Sequence, residues 1–441
     1  MPEARRPSIV TDLPGPRARA VLADSRAFEP SCMSDQQPLV WDHAEDVWIT
    51  DVDGNVFLDF CAGVLVANIG HSHPRYVAAV TQQARRLCSC YDFPTAERAA
   101  LARKLVEISA SHLERAFILT TGSEAVEAAM KMVRRASGRH EILAFGGAFH
   151  GRTYGAMSLG GNVGVRAGFG PVVPGILRAP FPYCYRCPLR QKPDTCDLAC
   201  IDHLDYVVKT QSCGDLGALV TEPYQGGAGS IIPPPGWFER LEEWRKSKGL
   251  LFILDEVQSS FGRTGTLFAY EHWPIQPDAV TLGKGLASGV PCSAVLTTEA
   301  LVADLEPGDL SSTSGGNPLS AAAALASIDI IVLENLAENA RKLGETMDAA
   351  FREMMDRAPK LGDVRGMGLA YALEMVDSRD TKAPSPAAAK RVVEESFRRG
   401  LALIAPIGFH GNVIRIAPPL SIGEDALKIG LGIIDEALAV A

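Results

Sequence analysis

No stretch of this chain is both long and uncharged enough to span a bilayer, although hydrophobic residues fill 47% of its 441 positions. The opening residues, MPEARRPSIVTDLPGPRARA, hold no apolar signal core, so the expected location is cytoplasmic, with no membrane partner. A basic stripe is missing as well. The net charge is −9 with both signs interspersed, which argues against nucleic acid as a partner. There is no Gly-x4-Gly-Lys-Ser/Thr loop, so a nucleotide site of the Walker type lacks its phosphate-binding half. Neither a repeat of roughly 20 to 50 residues nor a low-complexity tract is present, which removes solenoids and fibrous folds. What remains is a chain long enough for two or three lobes around a sizeable core.

The most informative stretch runs from Leu250 to Gly285, LLFILDEVQSSFGRTGTLFAYEHWPIQPDAVTLGKG. The apolar run Leu250 to Leu254 ends abruptly in Asp255-Glu256, the pattern of a strand buried on both faces that delivers a carboxylate at its C-terminal end. A second run, Ala279 to Leu282, ends in Gly-Lys-Gly and presents Lys284 between two residues without side chains. An acid and a lysine at the ends of buried strands are the two polar groups that pyridoxal phosphate needs most: one keeps the pyridine nitrogen protonated, the other forms the Schiff base. Taken singly, the acid pair also suits a metal site and the Gly-Lys-Gly an ordinary turn.

From about 75 to 330 strands and helices alternate, the signature of a mostly parallel sheet with helices on both sides. Ala116 to Thr120 reads as a strand, and Thr121-Gly122-Ser123-Glu124 opens a helix where free amides and the dipole favour a phosphate; the same residues also make a helix cap. The strand Glu141 to Phe145 leads to Phe149-His150-Gly151-Arg152-Thr153, with an aromatic face for stacking and a guanidinium fork for a carboxylate. Leu216 to Thr221 is a further buried strand, ending in Glu222-Pro223 and followed by YQGGAGSIIPPPG. Ser311 to Pro318, SSTSGGNP, precedes an Ala-rich helix read from about Leu319 to Ala350.

Ahead of this region, VWITDVDGNVFLDF alternates around the turn residues Asp53-Gly54-Asn55, a hairpin signal. His71 and His73 in GHSHP lack a third ligand in register and read as loop residues. Four of the ten cysteines cluster as Cys184, Cys187, Cys196 and Cys200 in an insert at about 181–202. Their CxxC and CxxxC spacing is close to that of structural zinc; a redox disulfide set and a loop of reduced thiols are the other readings. Near the C-terminus Arg415 stands in the apolar run VIRIAPP, where a bare guanidinium would be costly to bury, so it needs an anionic partner.

Together DEVQ, GRTG, TLGKGLASG, TGSE, FHGRT and SGGNP resemble the class III (omega-type) pyridoxal-phosphate-dependent aminotransferases of fold type I, from about residue 20 to the end. The resemblance implies an α/β fold: a large domain with a mostly parallel seven-stranded sheet, and a smaller α+β domain built from the C-terminus plus the N-terminal segment. The expected divisions are 1–74, 75–330 and 331–441. It implies transamination between a primary amine and a keto acid or aldehyde, with Lys284 and Asp255 catalytic. Cofactor contacts are expected from Gly122, Ser123, Phe149, His150, Glu222, Val257 and Gln258. Thr313 is expected to reach the cofactor phosphate of the neighbouring subunit, so a homodimer with shared sites follows. Arg152 and Arg415 match positions that bind substrate carboxylates, which favours glutamate and 2-oxoglutarate as one pair. Gly227 departs from relatives that carry a glutamate there to pair with an active-site arginine when the amine lacks an α-carboxylate. That glycine leaves room for an amino sugar as alternative substrate, and an epimerase or racemase using the same lysine is the other alternative.

Overall fold

The protein is described here by a computed structural model that covers residues 5–441. Its contacts divide it into two compact units. One comprises the described residues up to Pro74, Gly262–Gly265 and Ile330–Ala441; the other comprises Arg75–Phe261 and Thr266–Asp329.

The first unit begins with a helix, Pro16–Phe28, whose proline occupies the first turn where no amide is needed. The preceding Gly15 offers no side-chain cap, and Asp53 replaces it: its carboxylate accepts from the Arg17 and Ala18 amides, both at 2.8 Å. Gly15 is required for this, since a Cβ there would lie 2.3 Å from the Asp53 carboxyl carbon. Asp53 sits in the turn of a hairpin predicted by its Asp-Gly-Asn sequence. The strands are β1 (Trp41–Glu45), β2 (Trp48–Asp51) and β3 (Val56–Asp59), paired antiparallel, with Gly54 at φ +90°.

The second unit is built on seven strands: β4 (Arg115–Leu119), β5 (Glu141–Phe145), β6 (Ile176–Ala179), β7 (Leu216–Thr221), β8 (Leu251–Asp255), β9 (Ala279–Leu282) and β10 (Ser293–Thr297). Their order is β4-β10-β9-β8-β7-β5-β6. Only β10 runs against its neighbours; the ladder from β9 to β6 is parallel throughout. The C-terminal ends of β4, β5, β7, β8 and β9 therefore share one edge of the sheet. This is the edge where open α/β sheets bind ligands.

The helix Gly122–Ser137 packs on the sheet through Ala125, Val126, Ala129, Met130 and Val133, all buried. Its first turn is capped by the Thr121 hydroxyl, which accepts from the Glu124 amide at 3.3 Å, and Gly138 ends it in the left-handed region. Small residues on the packed face bring the helix close to the strands, which fixes its N-terminus at the ligand-binding edge.

The rest of the first unit contains β11 (Leu361–Met367), β12 (Ala370–Met375), β13 (Leu401–Ala402) and β14 (Val413–Ile416). β11, β12 and β14 form an antiparallel sheet, and β13 adds a parallel strand beside β3. Residues 262–265, which sequence places inside the 75–330 segment, belong to this unit instead. The reason is Arg263, fully buried, which donates to Leu369 O (2.9 Å), Pro418 O (2.6 Å) and Asn68 Oδ1 (2.8 Å). The single helix read from about 319 to 350 is two helices, Pro318–Leu333 and Leu336–Arg357. Asn335, at φ +54°, interrupts the backbone path between them, a conformation asparagine tolerates better than most residues. Among the described residues no single helix is long and apolar enough to cross a membrane.

Candidate active site

Asp255 ends β8, and Thr281 stands opposite it in the β8–β9 register. Three donors fix its carboxylate. The Val257 amide (3.1 Å) and the Thr281 hydroxyl (3.0 Å) both reach Oδ1, while His150 Nδ1 lies 2.7 Å from Oδ2. His150 arrives from the loop after β5 and is buried; facing a carboxylate oxygen, Nδ1 is the nitrogen that carries the proton. Its Nε2 is also buried and has no hydrogen-bond partner in the protein.

Glu222, directly after β7, ties two neighbouring loops together. Its Oε1 accepts from the Phe149 amide (2.8 Å) and its Oε2 from the Gly226 amide (2.9 Å). Burial pushes this acid up to about 7, with the Asp255 charge adding to the rise and His150 and the two amides opposing it. Burial would lower the His150 imidazole, but the hydrogen bond and charge of Asp255, with the charge of Glu222, raise it instead. A buried carboxylate–imidazole–carboxylate set thus lies behind the edge of the sheet.

Lys284 follows β9 through Gly283 and begins a short 3-10 turn, Lys284–Leu286. Its φ of +44° is unusual for a side-chain-bearing residue, a strain of the kind that collects at functional sites. Close approach of the backbone explains the glycines around it. A Cβ on Gly283 would lie 3.2 Å from Val257 Cγ1, and one on Gly122 only 2.8 Å from the same atom. The start of the helix Gly122–Ser137, the turn after β8 and the segment entering Lys284 thus meet around Val257.

The loop after β5 is held against the same helix. The Arg152 amide donates to Ser123 Oγ at 3.0 Å, and a Cβ on Gly151, at φ +140°, would lie 2.3 Å from that oxygen. The Arg152 guanidinium is 5.5 Å from the centre of the half-exposed Phe149 ring. Glu127, one turn along the helix, accepts from the Thr153 hydroxyl (2.6 Å) and the Gly155 amide (2.7 Å). Gly227 is exposed beside Phe149, and a Cβ there would be 3.1 Å from Phe149 Cβ. At Gly226 a Cβ would lie 1.8 Å from Gln258 Oε1, a buried oxygen with no partner in the protein.

The structure thus brings Gly122, Ser123, Phe149, His150, Arg152, Glu222, Gly227, Asp255, Val257, Gln258 and Lys284 to neighbouring strand ends of one unit. Thr313 lies exposed in a loop of the same unit. Arg415 belongs to the other unit, buried on β14 opposite Ala372. Thr281, Glu127 and Gly226 are additions that sequence reasoning missed. Thr281, a hydroxyl in the otherwise apolar run AVTL, was the one legible hint.

Cys184, Cys187, Cys196 and Cys200 lie near enough for their charges to act on one another; all ten cysteines are free, and among the described residues no group of three or more His, Cys, Asp or Glu is arranged to hold a metal ion. Cys200 lies in the first turn of the helix Ala199–Gln211, where burial, with Cys184 adding, pushes its thiol up to about 11.

This set fits pyridoxal phosphate on the chain's own terms. It offers a carboxylate for a ring nitrogen, a lysine on a strand end, glycine backbone around Val257, and buried unmatched atoms on His150 and Gln258. The family model for "Aminotransferase class-III" matches residues 31–438. The chain is similar to an alanine/serine racemase of Pyrococcus horikoshii, 36% identical over 98% of this chain and 92% of that one. It is also similar to a 4-aminobutyrate aminotransferase of Mycobacterium tuberculosis, 36% identical over 98% of both. A solved (S)-enantioselective omega-transaminase from Thermomicrobium roseum superposes with a TM-score of 0.88 at 29% identity, covering 96% of this chain and 98% of that one. With its fold, its strand-end residues and these likenesses in agreement, the chain belongs to the class III aminotransferases, enzymes dependent on pyridoxal phosphate.

Proposed function

We propose that this enzyme moves an amino group between a primary amine and a keto acid, with glutamate and 2-oxoglutarate as one pair. The observation that carries the chemistry is the placement of Asp255 and Lys284 at adjacent strand ends, with the Asp255 carboxylate already fixed by three donors. Pyridoxal phosphate, when bound, supplies an electron sink for the electrons released at the substrate Cα. Asp255 holds the proton of the ring nitrogen, and His150 holds Asp255 in turn. Lys284 Nζ takes the proton from Cα and returns it, general acid–base work for a lysine beside the reacting carbon. Gly122 and Ser123 would hold the phosphate, Phe149 and Val257 would pack on the ring, and Gln258 would hydrogen-bond the phenolic oxygen. Thr313 serves the site of a second copy of the chain, so the working form is a homodimer.

Arg152 and Arg415 are the proposed partners of substrate carboxylates. Position 227 has no acid to neutralise an arginine, which supports substrates that bring a carboxylate in both half-reactions. That same observation favours one second reading, racemisation of an α-amino acid, the activity named for the Pyrococcus relative. Under it Lys284 exchanges the proton at Cα on its own side, a second group protonates Cα on the opposite side, and no keto acid is released.

An amine-donor panel in deuterium oxide, with 2-oxoglutarate and pyruvate as acceptors, separates the two. Amino acids, ω-amines and amino sugars are the donors. Stoichiometric keto acid and glutamate formation supports transamination. Deuterium entering Cα with loss of optical rotation and no keto product overturns it in favour of racemisation.

A further inference from the structure

Glu124 sits three residues past the N-cap of the helix Gly122–Ser137, and its two carboxylate oxygens face different segments. Oε2 accepts from the Thr120 amide at 2.9 Å and from the Thr120 hydroxyl, so it braces the turn that leads into Gly122 and Ser123. Oε1 accepts from the Ser312 hydroxyl at 2.6 Å. Ser312 in turn accepts from the Gly315 amide at 3.1 Å, which closes the loop that carries Thr313. A Cβ on Gly315 would lie 2.7 Å from Ser312 Cβ and 2.9 Å from Ile118 O, so at this glycine the loop lies close against β4 and leaves no room for a side chain. Outside this contact, Ser311 Oγ donates to Asp92 Oδ2 at 2.7 Å and leaves Thr313 exposed at the tip. Burial raises the Glu124 acid, yet the Ser312 and Thr120 hydrogen bonds outweigh it and hold it below its ordinary value, as befits a carboxylate that only accepts.

We propose that Glu124 is a positioning residue that joins a subunit's own phosphate-binding turn to the loop it lends to the partner's site, so that each cofactor depends on the Glu124–Ser312 bond of the neighbouring chain. The inference rests on the proposed function, in which Gly122 and Ser123 hold one phosphate and Thr313 reaches another. A carboxylate that merely capped its own helix would need only Thr120 and Thr121. The second oxygen is spent on a loop 188 residues away, bonded at the serine next to Thr313. Charge-assisted hydrogen bonds of this kind are the strong ones, and the short Ser312 contact is in that range.

Mixed dimers carrying a single Lys284 test this directly. In the first, the Ser312→Ala chain keeps Lys284 and its partner carries Lys284→Ala. In the second, the wild-type chain faces a partner carrying both Ser312→Ala and Lys284→Ala. The readout is the dissociation constant of pyridoxal phosphate from the remaining lysine-bearing site, followed by absorbance on dilution of the holoenzyme, with kcat alongside. The second dimer is expected to bind the cofactor about tenfold more weakly than a wild-type/Lys284→Ala control, the effect of one charged hydrogen bond. The first dimer should match that control, and Ser312→Thr, which keeps the hydroxyl, should restore the second. Glu124→Ala should weaken both dimers, because it loosens its own turn as well as the lent loop. An effect in the first dimer equal to or larger than in the second, or none in either, overturns the coupling. A control that binds no cofactor at Lys284, or a chain that runs as a monomer, overturns the underlying reading instead.

Discussion

His150 Nδ1 and Asp255 Oδ2 stand 2.7 Å apart, both side chains buried, with the other imidazole nitrogen left unmatched. The pair means that the acid offered to the cofactor ring is oriented before anything binds. Replacing His150 with Phe removes the donor and leaves an Asp255 oxygen buried without a partner. The expected loss is about 10- to 100-fold in kcat/KM, the range of one charged hydrogen bond. His150→Asn, which can still donate, should recover part of it. Equal activity of the Phe variant and the wild type would remove His150 from the site.

Gly226 and Gly227 are adjacent but face different neighbours, and their alanine variants should part company. Gly226→Ala places a methyl group 1.8 Å from Gln258 Oε1, so Gln258 must leave its position. Gly227→Ala meets Phe149 Cβ at 3.1 Å, which a shift of a few tenths of an ångström relieves. Cofactor affinity, measured by absorbance titration, should fall markedly for Gly226→Ala and little for Gly227→Ala. The reverse order would contradict the placement of Gln258 in the cofactor site.

Glu256 predicts how stability depends on pH. It is fully buried and accepts from the Ala269 and Tyr270 amides, both at 2.7 Å; burial, with the nearby Glu271 charge adding, raises it from the ordinary 4.5 to about 8. Between those values the folded chain binds more protons than the unfolded one. The contribution is therefore fully present below pH 4.5 and is lost as pH rises through about 8. Glu256→Gln cannot ionise and gives up one acceptor bond. Its melting temperature should lie below the wild type's at pH 5, and the gap should shrink toward pH 8.5. A gap that widens with pH contradicts the raised value.

Arg263 holds three segments of the first unit through Leu369 O, Pro418 O and Asn68 Oδ1. Arg263→Met should destabilise by about 3 kcal/mol or more, since two buried carbonyls lose a charged donor. Arg263→Lys should be nearly as harmful, because an ammonium cannot reproduce the planar fork. Thermal denaturation reads both, and an unchanged Lys variant would show that charge alone suffices there.

The chemistry was legible in the chain because its two central groups interrupt apolar runs. Asp255 and Lys284 each end a strand buried on both faces, and a polar residue at that place stands out. Gly122-Ser123 and Phe149-His150 were legible for a related reason, lying at strand-to-helix turns whose amides or ring faces have an evident use. What could not be read were pairings made by folding. Nothing in the sequence joins Glu124 to Ser312, or assigns residues 262–265 to the unit built from the two ends of the chain. The cysteine insert was legible as a cluster, and its thiols do lie near one another, but spacing along the chain could not choose between a metal site, a disulfide and free thiols. The continuous helix read from about 319 to 350 failed at Asn335, where one backbone conformation overrides an otherwise helical composition.

The role of Lys284 is open to one direct measurement. Holoenzyme should absorb in the visible range, and borohydride reduction followed by peptide mapping should leave the pyridoxyl group on the peptide containing Lys284. Lys284→Ala should take up no label and show no turnover. Label on any other lysine, or a protein that stays colourless after incubation with the cofactor, would contradict the assignment of Lys284 and the site built around Asp255.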